Sequence, residues 1–173
     1  HTTSPTILLE GPYGHHCPIA TFDSVLLIAG GTGIASAVPY ILEHIALSRS
    51  EKTATTQMHL LWTARQASFI HQVFARELQD VSHRDEFFTR QDDSHTDDEE
   101  EHDVALRTEI QQGRPDIAAA ISKAAMKAEM MGQRVAVLVC GPPAMADEAR
   151  IAVHGVMKRG CFGIEYFEES FGW

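Results

Sequence analysis

The sequence predicts an α/β fold: a doubly wound parallel sheet of about five strands with helices on both faces. Three observations carry that expectation. Apolar runs of strand length alternate with segments of helical length. The apolar runs are continuous rather than alternating, as in strands buried on both faces. The first run, Val25-Leu26-Leu27-Ile28-Ala29, leads into Gly30-Gly31-Thr32-Gly33 and then directly into a helical stretch.

Each element follows in order. Residues 25–29 form the first strand and 34–47 the first helix, where Pro39 in the second turn is expected to kink the chain. Residues 58–63 form the second strand and 68–81 an amphipathic helix. Residues 86–89 form a short third strand. Residues 116–131 are an alanine-rich helix, started by Asp116 after Pro115. Residues 135–140 are a continuous apolar strand, 144–158 a helix and 164–167 the last strand. Residues 6–10, Thr6-Ile7-Leu8-Leu9-Glu10, also read as a strand.

Composition narrows the function. With 173 residues the chain can bury a full core, and its 44% hydrophobic and 22% charged content is that of a globular domain. A formal net charge of −10 argues against a nucleic-acid partner. Residues 92–103 hold eight acids and no Lys or Arg, so a solvated, disordered insertion is expected at 91–103. No run of 18 apolar residues spans a membrane. Cys17, Cys140 and Cys161 form no C-x-x-C pair, which suggests a reducing compartment. His15-His16-Cys17 reads as plain loop, since adjacent residues rarely chelate one ion, and no metal site is expected. The chain begins at His1, without methionine, and reads as a piece excised from a longer protein.

In a doubly wound sheet, ligands bind beyond the carboxyl ends of the strands. Gly30–Gly33, Arg65, Cys140-Gly141-Pro142 and the tail Phe171-Gly172-Trp173 all fall there. Glycines let a pyrophosphate approach backbone N–H groups at a helix start, and Thr32 adds a hydroxyl. By itself this turn also fits an ordinary strand end. Arg65, at the end of the second strand, is either a surface arginine or a fork for a 2′-phosphate. Arg114, from its position alone, is a loop arginine that caps a neighbouring helix. Cys140 is either a small buried hydrophobe or a thiol that faces a ligand. Phe171 and Trp173 are stacking candidates, with core packing the alternative for Phe171. Met145, at the next helix start, is expected to pack rather than to contact ligand.

Taken in order, Glu10-Gly11-Pro12-Tyr13-Gly14, Gly30-Gly31-Thr32-Gly33-Ile34, Trp62-Thr63-Ala64-Arg65, Gly113-Arg114-Pro115-Asp116, Cys140-Gly141-Pro142-Pro143-Ala144-Met145 and Glu168-Glu169-Ser170-Phe171-Gly172-Trp173 resemble the ferredoxin–NADP reductase superfamily. Within it, the similarity is to the NAD(P)H-binding domain of fungal ferric metalloreductases, relatives of the NADPH oxidases. The resemblance implies a Rossmann-like domain over 15–173, with 1–14 closing a preceding flavin domain. It implies that Gly30, Gly31, Thr32 and Gly33 cradle the NADPH pyrophosphate. Arg65 and Arg114 hold the adenosine end, and Gly141 and Pro142 line the site. The Cys140 thiol packs on the nicotinamide and helps place C4 over the flavin, without acting as a nucleophile. Phe171 or Trp173 covers the flavin ring. Glu168 and Glu169 are further candidates at the nicotinamide.

The implied activity is reduction of extracellular ferric or cupric ions. NADPH is the donor, FAD is held mostly by an upstream domain, and haem lies in a membrane domain of the same parent chain. The fragment would then sit on the cytoplasmic face of a plasma-membrane protein without touching the membrane itself. A superoxide-producing NADPH oxidase and a soluble flavin reductase share the donor half. A nucleotide-sensing module without redox chemistry is the alternative from another class.

Overall fold

The computed structural model describes residues 17–78, 86–89 and 110–169. A 3₁₀ turn, Ile19–Thr21, leads into β1 (Ser24–Gly30), and a second, Gly31–Gly33, into α1 (Ile34–Arg49). β2 (Gln57–Ala64), α2 (Ala67–Glu77), β3 (Glu86–Thr89) and β4 (Ile110–Gln112) follow. The chain then forms α3 (Ile117–Met131), β5 (Val135–Cys140), α4 (Pro143–Lys158) and β6 (Ile164–Glu168). The sheet has six strands in the order β4-β3-β2-β1-β5-β6. Every neighbouring pair is parallel.

Burial explains the sequence pattern. All six residues of β5 are buried, as are Val25 to Ala29 in β1, because both faces of these central strands are covered. On one face Val25, Leu27, Ala29, Leu60, Trp62, Ala136, Leu138 and Cys140 pack with Ile34, Ala37, Tyr40 and Ile41 of α1 and Ile70 of α2. On the other, Leu26, Ile28, Leu61, Val135, Val137 and Val139 pack with residues of α3 and α4. The two clusters alternate along each strand, with the period of two that pleating imposes.

Helix ends follow local chemistry. The Asp116 carboxylate accepts a hydrogen bond from the Ala119 N–H at 2.8 Å and caps α3. Gly132 ends that helix in the left-handed region at φ 63°, with the Gln133 N–H bonded to the Ala128 carbonyl. Pro143 opens α4, where its missing N–H costs nothing.

The structure differs from expectation in three places. The sheet has a sixth strand, β4, which carries no apolar run: its three residues are Ile110, Gln111 and Gln112, and both glutamines are exposed. α2 stops at Glu77, because Leu78 leaves the helical region and turns into the core, 1% exposed. α1 runs two residues beyond its expected end, to Arg49, with Pro39 inside it. The expected strand at 6–10, the domain boundary at 14, the insertion at 91–103 and the tail residues Phe171 and Trp173 lie outside the described residues. No helix among the described residues is long and apolar enough to cross a membrane.

Candidate functional site

The sheet order places a topological switch point between β1 and β5. From β1 the chain proceeds outward through β2 on one side, while β5 flanks β1 on the other. Loops at the carboxyl ends of these two strands diverge to opposite faces and leave a crevice between them. Ala29 pairs with Cys140, and Gly30 with Thr63, so the ends of β5, β1 and β2 are level. Gly31–Gly33, Gly141-Pro142 and Arg65 therefore leave the sheet at the same edge.

The glycines are required by contact. A Cβ on Gly33 would lie 2.0 Å from the Cys140 carbonyl oxygen, and one on Gly30 would lie 2.7 Å from Pro142 Cδ. A Cβ on Gly141 would lie 2.8 Å from Met145 Sδ. The two loops thus close on each other through bare backbone. Gly31 has φ +55° and nothing within 4 Å of its Cβ position, so it faces open space in a conformation that other residues rarely adopt. Met145, 7% exposed, packs beneath Gly30 and Gly141, as expected.

Trp62 holds this turn in place. Its indole N–H donates to the Gly31 carbonyl at 3.1 Å, and its ring is fully buried edge-on to Phe69. Trp62 opens the Trp62-Thr63-Ala64-Arg65 motif, and this role for it emerges only in the fold. Its signal was a polar handle on an aromatic inside an otherwise apolar strand.

Cys140 has no exposed surface. Burial pushes its thiol up to about 12, and the negative charges that Glu169 and Cys17 can carry add to the shift. The thiol is therefore held in its neutral form at physiological pH. Beside it lies a polar knot missed in the sequence. The Tyr40 hydroxyl donates to Glu169 Oε1 at 2.6 Å and accepts from the Cys17 N–H at 3.1 Å. Burial, then the bond to Glu169, hold the Tyr40 phenol above its ordinary range, so it stays a donor. The Glu169 N–H is bonded to the Val139 carbonyl at 2.8 Å. Glu168 points elsewhere: its Oε2 accepts from Tyr166 at 2.9 Å and from Arg150 at 2.5 Å.

The two arginines are placed differently. Arg65 is exposed, one residue beyond β2. Arg114 lies two residues beyond β4 and forms an ion pair with Glu148 of α4, its side chain 57% exposed. It therefore ties a loop to a neighbouring helix while keeping most of its surface in water. Thr32 is exposed at the mouth of the glycine turn. No group of three or more His, Cys, Asp or Glu among the described residues is arranged to hold a metal ion.

This arrangement suits an extended, doubly phosphorylated ligand. It offers a bare-backbone turn at a helix N-terminus, a guanidinium at the next strand end and a carboxylate beside a buried thiol. The family model described as "Ferric reductase NAD binding domain" matches residues 22–154. Ferric reductase transmembrane component 3 of Saccharomyces cerevisiae is 24% identical over 203 aligned positions, covering 98% of this chain and 27% of that protein. Ferric reductase transmembrane component 6 of the same yeast is 30% identical over 188 positions, covering 96% of this chain and 25% of that protein. The probable ferric reductase transmembrane component of Candida albicans is 24% identical over 202 positions, covering 100% of this chain and 29% of that protein. The chain thus spans about a quarter of the length of these relatives. The match runs from Phe22 before β1 to His154 in α4, across both loops of the crevice, and the chain belongs to the ferric reductase NAD-binding domain family.

Proposed function

We propose that this chain is the NADPH-binding module of a membrane-anchored, flavin-dependent ferric or cupric reductase. The observation that carries the reading is the glycine turn at the switch point: Gly33 packs against the Cys140 carbonyl so closely that no side chain fits, while Gly31 faces open space with nothing within 4 Å of its Cβ position. The turn so held presents bare backbone at the start of α1, which is the approach a pyrophosphate needs. Gly30, Gly31, Thr32 and Gly33 would hold the pyrophosphate at the start of α1, with Trp62 fixing the turn. Arg65 would grip the 2′-phosphate as a fork and Arg114 would flank the adenosine. Gly141 and Pro142 would wall the nicotinamide end beside Cys140.

When bound, the nicotinamide supplies a hydride from C4. This chain's contribution is placement, since transfer between two rings needs distance and alignment rather than a protein base. Cys140, neutral and buried, would form an apolar floor there, and Phe171 or Trp173 would cover the acceptor ring. FAD belongs in this reading to an adjoining domain of the parent protein, haem to its membrane part, and ferric or cupric ions are the final substrates. The domain would lie on the cytoplasmic face of the plasma membrane. The names of the relatives, which are transmembrane components, support a membrane-anchored parent.

Replacement of Arg65 by Ala tests the cofactor choice. NADPH affinity is expected to fall about tenfold, the equivalent of roughly 1.4 kcal/mol, while NADH affinity stays the same. An equal response of both nucleotides in titration calorimetry would refute the 2′-phosphate contact.

A further inference from the structure

We propose that Tyr40 is a positioning residue for Glu169, fixing its carboxylate at the nicotinamide end of the crevice. The inference rests on the reading above, in which that end of the nucleotide lies beside Cys140. Three observations support it. The Glu169 backbone is pinned to β5 through its N–H to the Val139 carbonyl, so only the side chain remains to be placed. Tyr40 places it: the phenol is 5% exposed and donates to Oε1 at 2.6 Å. The same hydroxyl accepts from the Cys17 N–H at 3.1 Å, which leaves its own proton for the carboxylate.

Tyr40 also stands on α1, the helix that begins at the phosphate turn. One rigid element therefore sets both the anchor for the pyrophosphate and the position of a carboxylate at the far end of the site. Glu169 itself is only half-buried, so it remains able to meet a ligand. The oxidised nicotinamide ring carries a positive charge that the reduced ring lacks. A fixed anion beside it then favours NADP⁺ over NADPH, and a loosely held anion favours it less.

The test is the ratio of the two affinities, measured by titration calorimetry on the 173-residue chain. Glu169→Gln is expected to weaken NADP⁺ about three- to tenfold and to leave NADPH within about twofold. Tyr40→Phe, which keeps the ring in the core, is expected to move the ratio the same way by about two- to fivefold. In the Glu169→Gln background, Tyr40→Phe should move it no further. A purely structural tyrosine would lower the melting temperature and leave the ratio alone, and that result overturns the proposal. If Tyr40→Phe does not fold, Glu169→Asp replaces it, since the shorter carboxylate keeps its charge but loses its reach to Tyr40. An unchanged ratio there is equally fatal. Should folded wild-type chain bind neither nucleotide, the nucleotide-site reading itself fails; binding with an unmoved ratio refutes only the role of Tyr40.

Discussion

Cys140 shows how one buried side chain links stability to pH. Its thiol is neutral in the folded chain because burial raises it from 9.0 to about 12, with Glu169 and Cys17 adding negative charge nearby. In the unfolded chain the same thiol ionises from about pH 9 upward. Between those values the unfolded state binds fewer protons than the folded one, so stability falls as pH rises. Below pH 9 both states hold the proton and the group contributes no slope. The expected slope from this thiol is at most about 1.4 kcal/mol per pH unit within that window. Tyr40 and Tyr166, both pushed upward by burial first, act in the same direction at the alkaline end. Comparing denaturant midpoints of wild type and Cys140→Ala from pH 8 to 11 isolates the share of Cys140. Parallel curves would mean that the thiol titrates alike in the folded and unfolded states.

At the scale of elements, α3 is the helix whose formation is most local. Asp116 caps its start, Gly132 closes its end, and Ile117, Ile121, Ala125 and Ala128 form the buried stripe between them. Asp116→Ala removes one hydrogen bond to an otherwise orphaned N–H and should cost about 1 kcal/mol. A lower denaturant midpoint with an unchanged slope would show it, and no shift would mean that water replaces the cap without loss. Such local signals are also what made the fold legible. β1 and β5 were readable because burial on both faces demands continuous apolar runs, and α3 because its cap lies beside it in sequence. β4 was not, because Gln111 and Gln112 are exposed and give the strand no apolar pattern. The end of α2 was missed because Leu78 continues the apolar stripe while its backbone has left the helix. In the site, the glycine turn was legible because contact with Cys140 forbids any side chain. The partnership of Tyr40 with Glu169 was not, since 129 residues separate them and only the folded sheet brings them together.

At the scale of the whole molecule, the chain carries a crevice at the edge of its sheet and spans about a quarter of its relatives. A switch-point crevice can bind a dinucleotide, but a hydride also needs an acceptor ring within contact distance. Binding and turnover should therefore separate. On the proposed reading, the 173-residue chain binds NADPH weakly, because the nicotinamide end would meet its acceptor ring only in an adjoining domain. It is expected to reduce ferricyanide no faster than NADPH does in buffer. On the proposed reading, joining the chain to a flavin-bearing domain should restore transfer and tighten nucleotide binding together, since one stacking contact would serve both. Following NADPH absorbance with ferricyanide present, for the chain alone and for the chain joined to a flavin-bearing domain, decides the matter. Rates typical of a complete enzyme from the chain alone would mean that this crevice is a whole active site and not the donor half of one.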